Sequence, residues 1–277
     1  MAADDAPFFL YLAHTAPHWP LHARAEDIAR YAGRYDDGWQ ALRDARYARQ
    51  VEMGLINPAT HPLPELMGNG PHLGGRQSGG WDRLSDAQKA IERRKFESHA
   101  AMVDRMDRGL GDVLAALRDT GELDNTLIIF LSDNGASPET PSQPGYDRPS
   151  ALADGTPIEY GDSDHIGDAT SFAGIGSVWA NAANTPFRYW KAQSFEGGVH
   201  TPMIVHWPAS LKLAAGSLND TPVHTIDLAP TILAAAGLTP ANMAGENLLP
   251  LLRGEAFEAD RPLYFEHEGG RAVREGT

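Results

Sequence analysis

A helical pattern runs directly into a strand pattern in AAMVDRMDRGLGDVLAALRDTGELDNTLIIFLSDNGAS (residues 100–137). The helical part carries one apolar stripe at the spacing of an α-helix, formed by Met102, Met106, Leu110, Val113, Leu114 and Leu117. Upstream, Ser85 and Gln88 predict a capping box that starts the helix, and Gly121 predicts its carboxyl-terminal cap. Because a strand at 126–131 follows after a short turn, the stretch predicts an α/β architecture.

The strand ends in Ser132-Asp133-Asn134-Gly135, which has two interpretations. Asp-Asn-Gly is common turn chemistry, so the segment can be a simple chain reversal. Alternatively, Asp133 and Asn134 form a cation site, because open α/β sheets bind ligands just beyond the carboxyl ends of their strands. A carboxylate and an amide oxygen suit Ca²⁺ or Mg²⁺ rather than zinc. Taken alone, the four residues favour the turn.

Length and composition are typical of a globular protein and exclude several classes. The 277 residues, 42% apolar and 22% charged, suffice for one large α/β domain or two smaller ones. The net charge of −14 argues against nucleic acid as a partner. No run of about 18 apolar residues predicts a membrane span, and the first residues lack a signal-peptide pattern. The absence of cysteine excludes disulfides, thiolate metal sites and a cysteine nucleophile.

The remaining segments predict further elements in chain order. We predict strands at 7–14 and 202–207, helices over most of 25–56 and at about 225–236, loops at 57–82 and 138–187, and part of a hairpin at 261–277. The strand at 7–14 is predicted to be buried because it is almost entirely apolar. Gly, Pro, Ser and Asp are frequent in 138–187, so we predict a long surface loop with a functional role. We expect 261–277 to be the first half of a hairpin without its partner strands.

Two histidines and a lysine are further candidates for chemistry. His18 in APHWPLHA either packs beside Trp19 or faces the same sheet edge as the SDNG segment. Lys191 is either a surface lysine or a ligand-binding one, and the Gly197-Gly198 pair that follows allows backbone to approach a ligand closely. Either His18 or His200 could donate a proton at neutral pH. The chain contains no G-x-S-x-G elbow, P-loop, dinucleotide fingerprint or H-E-x-x-H motif.

Read together, five segments resemble the type I sulfatases of the alkaline phosphatase superfamily, close to the bacterial arylsulfatases. They are PFFLYLAHTAPHWPLHA (7–23), YAGRYDDGWQALRDARYAR (31–49), the quoted 100–137, WANAANTPFRYWKAQSFEGGVHTPMIVHWP (179–208) and HTIDLAPTILAAAG (224–237). Their joint order and spacing are specific to that family. The resemblance implies a mixed, mainly parallel sheet flanked by helices and incomplete at both ends. It also implies a main domain at 1–255 and the start of a small carboxyl-terminal subdomain at 256–277.

The resemblance also implies site roles. Asp133 and Asn134 match ligands to Ca²⁺, His18 matches a histidine that contacts the sulfate and protonates the leaving group, and Lys191 matches a lysine that binds a sulfate oxygen. With His200 as a further substrate-binding candidate, they imply hydrolysis of a small-molecule sulfate ester to an alcohol or phenol and sulfate. A cation, an ammonium and a proton donor are what a sulfate ester needs on its oxygens.

The departures from the family pattern concern the nucleophile and the cation site. The family nucleophile is a formylglycine made from Cys or Ser in C/S-x-P-S-R, and neither that motif nor Ser-x-Pro-x-Arg occurs here; SQPGYDR (142–148) has its arginine two places too far along. The family's paired aspartates and its upstream lysine-histidine pair are also absent. We therefore expect a carboxyl-side portion of a sulfatase, inactive alone and weak in Ca²⁺ binding. The alternatives are a phosphomonoester or phosphonate hydrolase and a non-catalytic sulfatase remnant.

Overall fold

The computed structural model describes residues 6–67, 80–258 and 261–276. The α-helices of this part of the chain are α1 Ala25–Ala29, α2 Gly38–Glu52, α3 Asp86–Asp119, α4 Gly176–Ala183, α5 Glu196–Val199, α6 Leu228–Ala235 and α7 Leu249–Leu252. Its strands are β1 Ile128–Leu131, β2 Glu159–Tyr160, β3 Ser171–Phe172, β4 Met203–His206, β5 Leu263–His267 and β6 Gly270–Arg274. Short 3-10 turns occupy Trp81–Arg83, Leu123–Asn125 and Thr225–Asp227. The chain is an α/β protein in which helices predominate. None of the described helices is both long and apolar enough to cross a membrane.

The strands of the described residues form small separate sheets. The prediction of one mixed, mainly parallel sheet is therefore wrong for this part of the chain. β1 pairs antiparallel with β4, in a register that places Ile128 opposite His206 and Leu131 opposite Met203. β5 and β6 are also antiparallel, and only β2 and β3, of two residues each, run parallel. The error arises because a helical pattern followed by a strand pattern predicts only that both elements are present. The local pattern does not determine which strand pairs with which, or whether the pair is parallel or antiparallel.

The predicted buried strand at 7–14 is not formed. The segment is extended coil with exposed side chains, among them Phe9 at 72% and Tyr11 at 81% exposure. Its composition suits a buried strand, but a strand also requires backbone partners for its N–H and C=O groups. No described segment pairs with it. An apolar sequence therefore remains on the surface.

The long helix α3 follows its sequence signals closely. Ser85 Oγ accepts a hydrogen bond from the backbone N–H of Gln88, and the Gln88 side chain accepts one from the N–H of Ser85, which confirms the capping box. At the other end, Gly121 follows the capping residue with φ of +77°, a conformation that favours glycine. Met102 and Leu117 of the apolar stripe are buried and the rest of the stripe is partly buried.

The centre of the core lies in a segment that the composition predicts to be a surface loop. Helix α4 is buried along almost its whole length, and Trp179 has no exposed surface. The Trp179 ring stacks on Phe96 of α3 at 4.4 Å between centroids and meets the edges of Trp39 and Trp81 at 5.6 and 6.1 Å. The prediction for 138–187 is therefore wrong over α4. Because α4 is buried on every side and its buried residues include Ser177 and Asn181, its sequence does not show the apolar stripe and exposed polar face by which surface helices are found.

The helical region at 25–56 and the last segment also differ from prediction. The first divides into α1 and α2, separated by turns at 30–37. The segment at 261–276 forms a two-stranded hairpin, in which β5 pairs with β6 over five residues each. The prediction of a half hairpin without its partner strands is therefore wrong. Glu268 and Gly269, with φ of 47° and 83°, form the tight turn between them. The predicted loop at 57–82 is loop over 57–67 and lies partly outside the described residues.

Candidate functional site

His18 lies in a loop at 16–24 and is partly exposed. The loop is fixed by hydrogen bonds to the segment before α4: Leu21 N–H donates to the Ala173 carbonyl and Ala23 N–H to the Gly167 carbonyl, each at 3.0 Å. Leu21 is buried in the core. This anchoring gives His18 a defined position although it lies in a proline-rich loop.

His18 and Lys191 are in direct contact. Lys191 Nζ lies 2.9 Å from His18 Nε2, across 173 positions of sequence. His18 Nδ1 lies 2.8 Å from the backbone carbonyl of Trp19, which can only accept, so we assign the proton of the neutral ring to Nδ1. Since an ammonium only donates, Nε2 is the acceptor for Lys191. The two side chains predicted to hold a sulfate ester therefore contact each other through Lys191 Nζ and His18 Nε2.

The backbone around Lys191 is held by Asn184, the residue that follows α4. The Asn184 side chain accepts from Ala136 N–H at 2.9 Å and donates to the carbonyls of Tyr189 and Gly197 at 3.1 and 2.9 Å. In addition, Lys191 N–H donates to the Ala136 carbonyl at 3.1 Å. Asn184 thus ties the segment after Asp133-Asn134-Gly135 to the segment that carries Lys191.

The conformation near Lys191 is strained. Tyr189 and Ala192 have φ of 64° and 71°, in the left-handed region that side chains other than glycine rarely adopt. Such residues cost about 1–3 kcal/mol each and persist where the surrounding structure enforces them. They lie on both sides of Lys191, so the strain coincides with the candidate site.

Gly135 allows the SDNG segment to approach the Gly197-Gly198 pair. Its N–H donates to the Gly198 carbonyl at 3.0 Å, and a Cβ at position 135 would lie only 1.7 Å from the Gly197 carbonyl oxygen. A side chain at 135 is therefore excluded without backbone movement. Glycine is required here by the close approach of the segment after β1 to the Gly197-Gly198 pair.

Glu139 belongs to the same cluster and was not predicted from the sequence. Its Oε2 accepts from Trp19 Nε1 at 2.6 Å and from the Ser137 hydroxyl, and lies 3.9 Å from His18 Nε2. Partial burial acts to raise the pKa of the Glu139 carboxyl. The hydrogen bonds from Ser137 and Trp19 and the charge of Lys191 outweigh it, so the pKa lies below its ordinary value. Glu139 is therefore an ionised carboxylate beside the His18–Lys191 pair at neutral pH.

Asp133 and Asn134 follow β1 as predicted. The Asp133 side chain is exposed, and Asn134 uses its amide nitrogen to donate to the Gly135 carbonyl at 2.9 Å, which leaves its amide oxygen available as a ligand. The Ser132 hydroxyl donates to the Asn134 carbonyl at 2.8 Å, which is turn geometry. The turn and the candidate cation ligands coexist in the same four residues.

His200 directly follows α5 and contacts Glu196 and Phe187. Its Nδ1 lies 2.6 Å from Glu196 Oε2, and its ring stacks on Phe187 at 4.5 Å. The hydrogen bond with His200 is the main reason why the pKa of Glu196 lies below its ordinary value, and Arg274 of β6 adds its charge. Within the described residues, no contact joins His200 to His18 or Lys191. Its role as a substrate ligand stays a prediction.

Comparison with known proteins decides the family. A family model described as Sulfatase matches residues 1–238 of the chain. The chain belongs to the sulfatase family. An uncharacterized sulfatase of Schizosaccharomyces pombe is 37% identical over 284 residues, covering 98% of this sulfatase chain and 49% of the relative. An arylsulfatase of Klebsiella aerogenes is 32% identical over 264 residues, covering 93% and 52%.

The chain spans about half the length of these curated relatives. Among solved structures, a protein in complex with its substrate D-glucosamine-2-N,6-O-disulfate is similar over 70% of this chain, with a TM-score of 0.45 and 21% identity. A phosphonate monoester hydrolase of Silicibacter pomeroyi is similar over 89% of this chain, with a TM-score of 0.39 and 21% identity.

The donor set of this sulfatase fits a Ca²⁺ ion only in part. Asp133 and Asn134 offer a carboxylate and an amide oxygen, which are the ligand types that Ca²⁺ prefers. Within residues 6–67, 80–258 and 261–276, no group of three or more His, Asp or Glu side chains is arranged to hold a metal ion. Ca²⁺ takes about six to eight oxygens, so these two residues supply a minority of the shell.

We predict that the isolated chain binds Ca²⁺ weakly or not at all, because two side-chain oxygens cannot replace the hydration shell of the ion. Isothermal titration calorimetry with CaCl₂ is the measurement. Any residual binding is expected to disappear in Asp133→Asn and to persist in Asp112→Asn, which changes an exposed aspartate on α3. A submicromolar affinity for the unaltered chain would contradict this prediction.

Proposed function

We propose that the chain carries the ester-binding and leaving-group side of a sulfuric ester hydrolase of the arylsulfatase type. The observation that supports the proposal most strongly is the 2.9 Å contact between Lys191 Nζ and His18 Nε2. A cation and a nitrogen that can bind and release a proton stand side by side, as cleavage of a sulfate monoester requires. Family membership provides the reaction class, and the arylsulfatase relative supports the finer assignment.

Each side chain has a defined task in this proposal. Lys191 binds a nonbridging sulfate oxygen through its ammonium, which stabilises the negative charge there. His18 keeps Nδ1–H on the Trp19 carbonyl, so Nε2 is the nitrogen that carries the exchangeable proton. When a nucleophile bonds to the sulfur and the ester S–O bond breaks, the leaving oxygen takes the proton that a protonated His18 carries on Nε2 and becomes an alcohol or phenol, and the sulfuryl group stays on the nucleophile. Asp133 and Asn134 would hold part of the coordination shell of a Ca²⁺ ion, which would supply positive charge to the sulfate oxygens.

The formylglycine that the family uses as nucleophile has no matching residue in this sequence. The chain holds no cysteine and no Ser-x-Pro-x-Arg string. We therefore derive no nucleophilic step and propose that the 277 residues bind a sulfate ester without hydrolysing it at a measurable rate. A phosphomonoester or phosphonate hydrolase and a non-catalytic remnant are the competing proposals.

We predict that Lys191→Met weakens the binding of 4-nitrophenyl sulfate about tenfold or more, because a charge-assisted hydrogen bond to the anion is lost. The measurement is a titration followed by ¹H–¹⁵N correlation spectra, with 4-nitrophenol release monitored in the same samples. Lys212→Met is the matched control, because Lys212 is 72% exposed and pairs only with Glu255 in the described residues.

Three outcomes would contradict the proposed function. Equal affinity of the Lys191→Met and Lys212→Met variants for 4-nitrophenyl sulfate would show that Lys191 does not bind the ester. Absence of any ester binding by the unaltered chain would favour the non-catalytic remnant. Sustained release of 4-nitrophenol by the unaltered chain would show that a nucleophile is present in these 277 residues.

A further inference from the structure

Glu139 places a negative charge beside the two groups that would hold the ester. Its Oε2 lies 3.9 Å from His18 Nε2, the atom that also contacts Lys191 Nζ at 2.9 Å. An anion held by Lys191 and His18 therefore lies within a few ångströms of a carboxylate. Carboxylates normally oppose anion binding, so the position of Glu139 requires an explanation.

Two donors hold the Glu139 carboxylate in place. Trp19 Nε1 donates to Oε2 at 2.6 Å, and the Ser137 hydroxyl donates to the same oxygen. Trp19 is the residue after His18, and its ring lies 5.6 Å from Phe172 of β3. The carboxylate is thus anchored by the same loop that carries His18. A rotation that turned the charge away from the ester site would break both hydrogen bonds.

The charges facing the site nearly cancel. Lys191 contributes one positive charge, Glu139 contributes one negative charge, and His18 adds a positive charge only when it is protonated. With the neutral His18 ring that the Lys191 contact implies, the three side chains carry no net charge, so they offer no excess positive charge to a second negative charge on the ligand. A sulfate monoester carries one negative charge, whereas a phosphate monoester above about pH 7 carries two, because its second pKa is about 6.

We propose that Glu139 is a specificity-determining residue that disfavours doubly charged phosphate monoesters relative to singly charged sulfate monoesters. The inference rests on the proposed function, since it takes His18 and Lys191 as the groups that bind the ester. The second negative charge of a phosphate ester meets the fixed carboxylate and is repelled. The side chains of His18 and Glu139 are 40% and 42% exposed, so solvent screens this repulsion and its effect is moderate.

The test compares 4-nitrophenyl sulfate with 4-nitrophenyl phosphate, two esters of nearly identical shape that differ by one charge at about pH 8. In Glu139→Gln, the ratio of the phosphate to the sulfate dissociation constant is expected to fall about fivefold, as expected for loss of one charge at about 4 Å in a largely aqueous setting. Glu139→Met removes the charge by a different side chain and should shift the ratio in the same direction. Glu139→Asp keeps the charge and should largely restore the original ratio.

Glu122→Gln is the control variant, because Glu122 is exposed beyond the end of α3 and its neutralisation should leave the ratio unchanged. If Glu139 has a purely structural role, its neutral variants would bind both esters more weakly by the same factor. The ratio of the two dissociation constants would then be unchanged, which would overturn the inference. That result, with binding still dependent on Lys191, leaves the proposed function intact. If neither ester binds the unaltered chain, the proposed function fails and the inference fails with it.

Discussion

Replacing Trp179 with alanine is expected to lower the free energy of unfolding by about 3–5 kcal/mol, the range for removing a large aromatic side chain from a core. The indole has no exposed surface and stacks on Phe96 at 4.4 Å, with Tyr35, Trp39 and Trp81 at its edges. The five rings belong to four separate parts of the chain, so the cavity left by alanine cannot be filled by a local movement. Urea unfolding followed by far-UV circular dichroism is the measurement.

The matched control for this prediction is Tyr146→Ala. Tyr146 is an aromatic residue that is fully exposed, and its removal should change the stability by less than about 0.5 kcal/mol. Equal effects of the two substitutions would mean that α4 does not lie at the centre of the core. In that case, the anchoring of Asn184 and of the Lys191 segment by α4 would also be wrong.

Removing the buried carboxylate of Asp227 is expected to destabilise the chain by about 3–5 kcal/mol, because its loss leaves Arg261 with the more distant Glu246 carboxylate at 3.7 Å and removes the acceptor of two backbone N–H groups. Asp227 is fully buried and accepts from the N–H groups of His224 at 2.7 Å and Glu246 at 2.9 Å, as well as from the Arg261 guanidinium. It therefore joins the start of α6, the loop before α7 and the residues that lead into β5. Asp227→Ala in the same urea experiment tests this.

Asp112→Ala is the control for Asp227→Ala, because Asp112 is an exposed aspartate on α3 that should contribute less than about 0.5 kcal/mol. Hydrogen exchange adds a positional readout. Amides of β5 and β6 should lose protection in Asp227→Ala before those of α3 do. Unchanged protection of the hairpin would contradict the assignment of Asp227 as the residue that joins these three segments.

The features that could be predicted from the sequence are those encoded by neighbouring residues. Local contacts determine the capping box of Ser85 and Gln88, the turn at Gly121 and the apolar stripe of α3. Because the residues involved are only a few positions apart, the sequence pattern predicts them. The strand at 7–14 depends on backbone partners elsewhere, and composition does not report whether such partners are present. Helix α4 was missed for the opposite reason: its burial on every side removes the period that would identify it.

The candidate site divides in the same way. His18 and Lys191 could be singled out because their segments resemble a family, but their contact across 173 positions is a product of the fold. Glu139 could not be predicted as a site residue, because a carboxylate in a polar loop is common. Its role becomes apparent only in the fold, where Trp19 Nε1 donates to it. Asn184 was also missed. An asparagine that follows a helix usually serves as a cap, and only the folded chain shows it binding three separate backbone groups.

The most direct measurement is a crystal structure of the 277-residue chain with 4-nitrophenyl sulfate bound. We predict density for the sulfate between the two side chains, with a nonbridging oxygen at about 3 Å from Lys191 Nζ and the bridging oxygen facing His18 Nε2. The Lys191–His18 contact of 2.9 Å should lengthen as the ester enters. An ester bound elsewhere, with Lys191 and His18 still in contact, would contradict the assignment of these residues as the sulfate ester site.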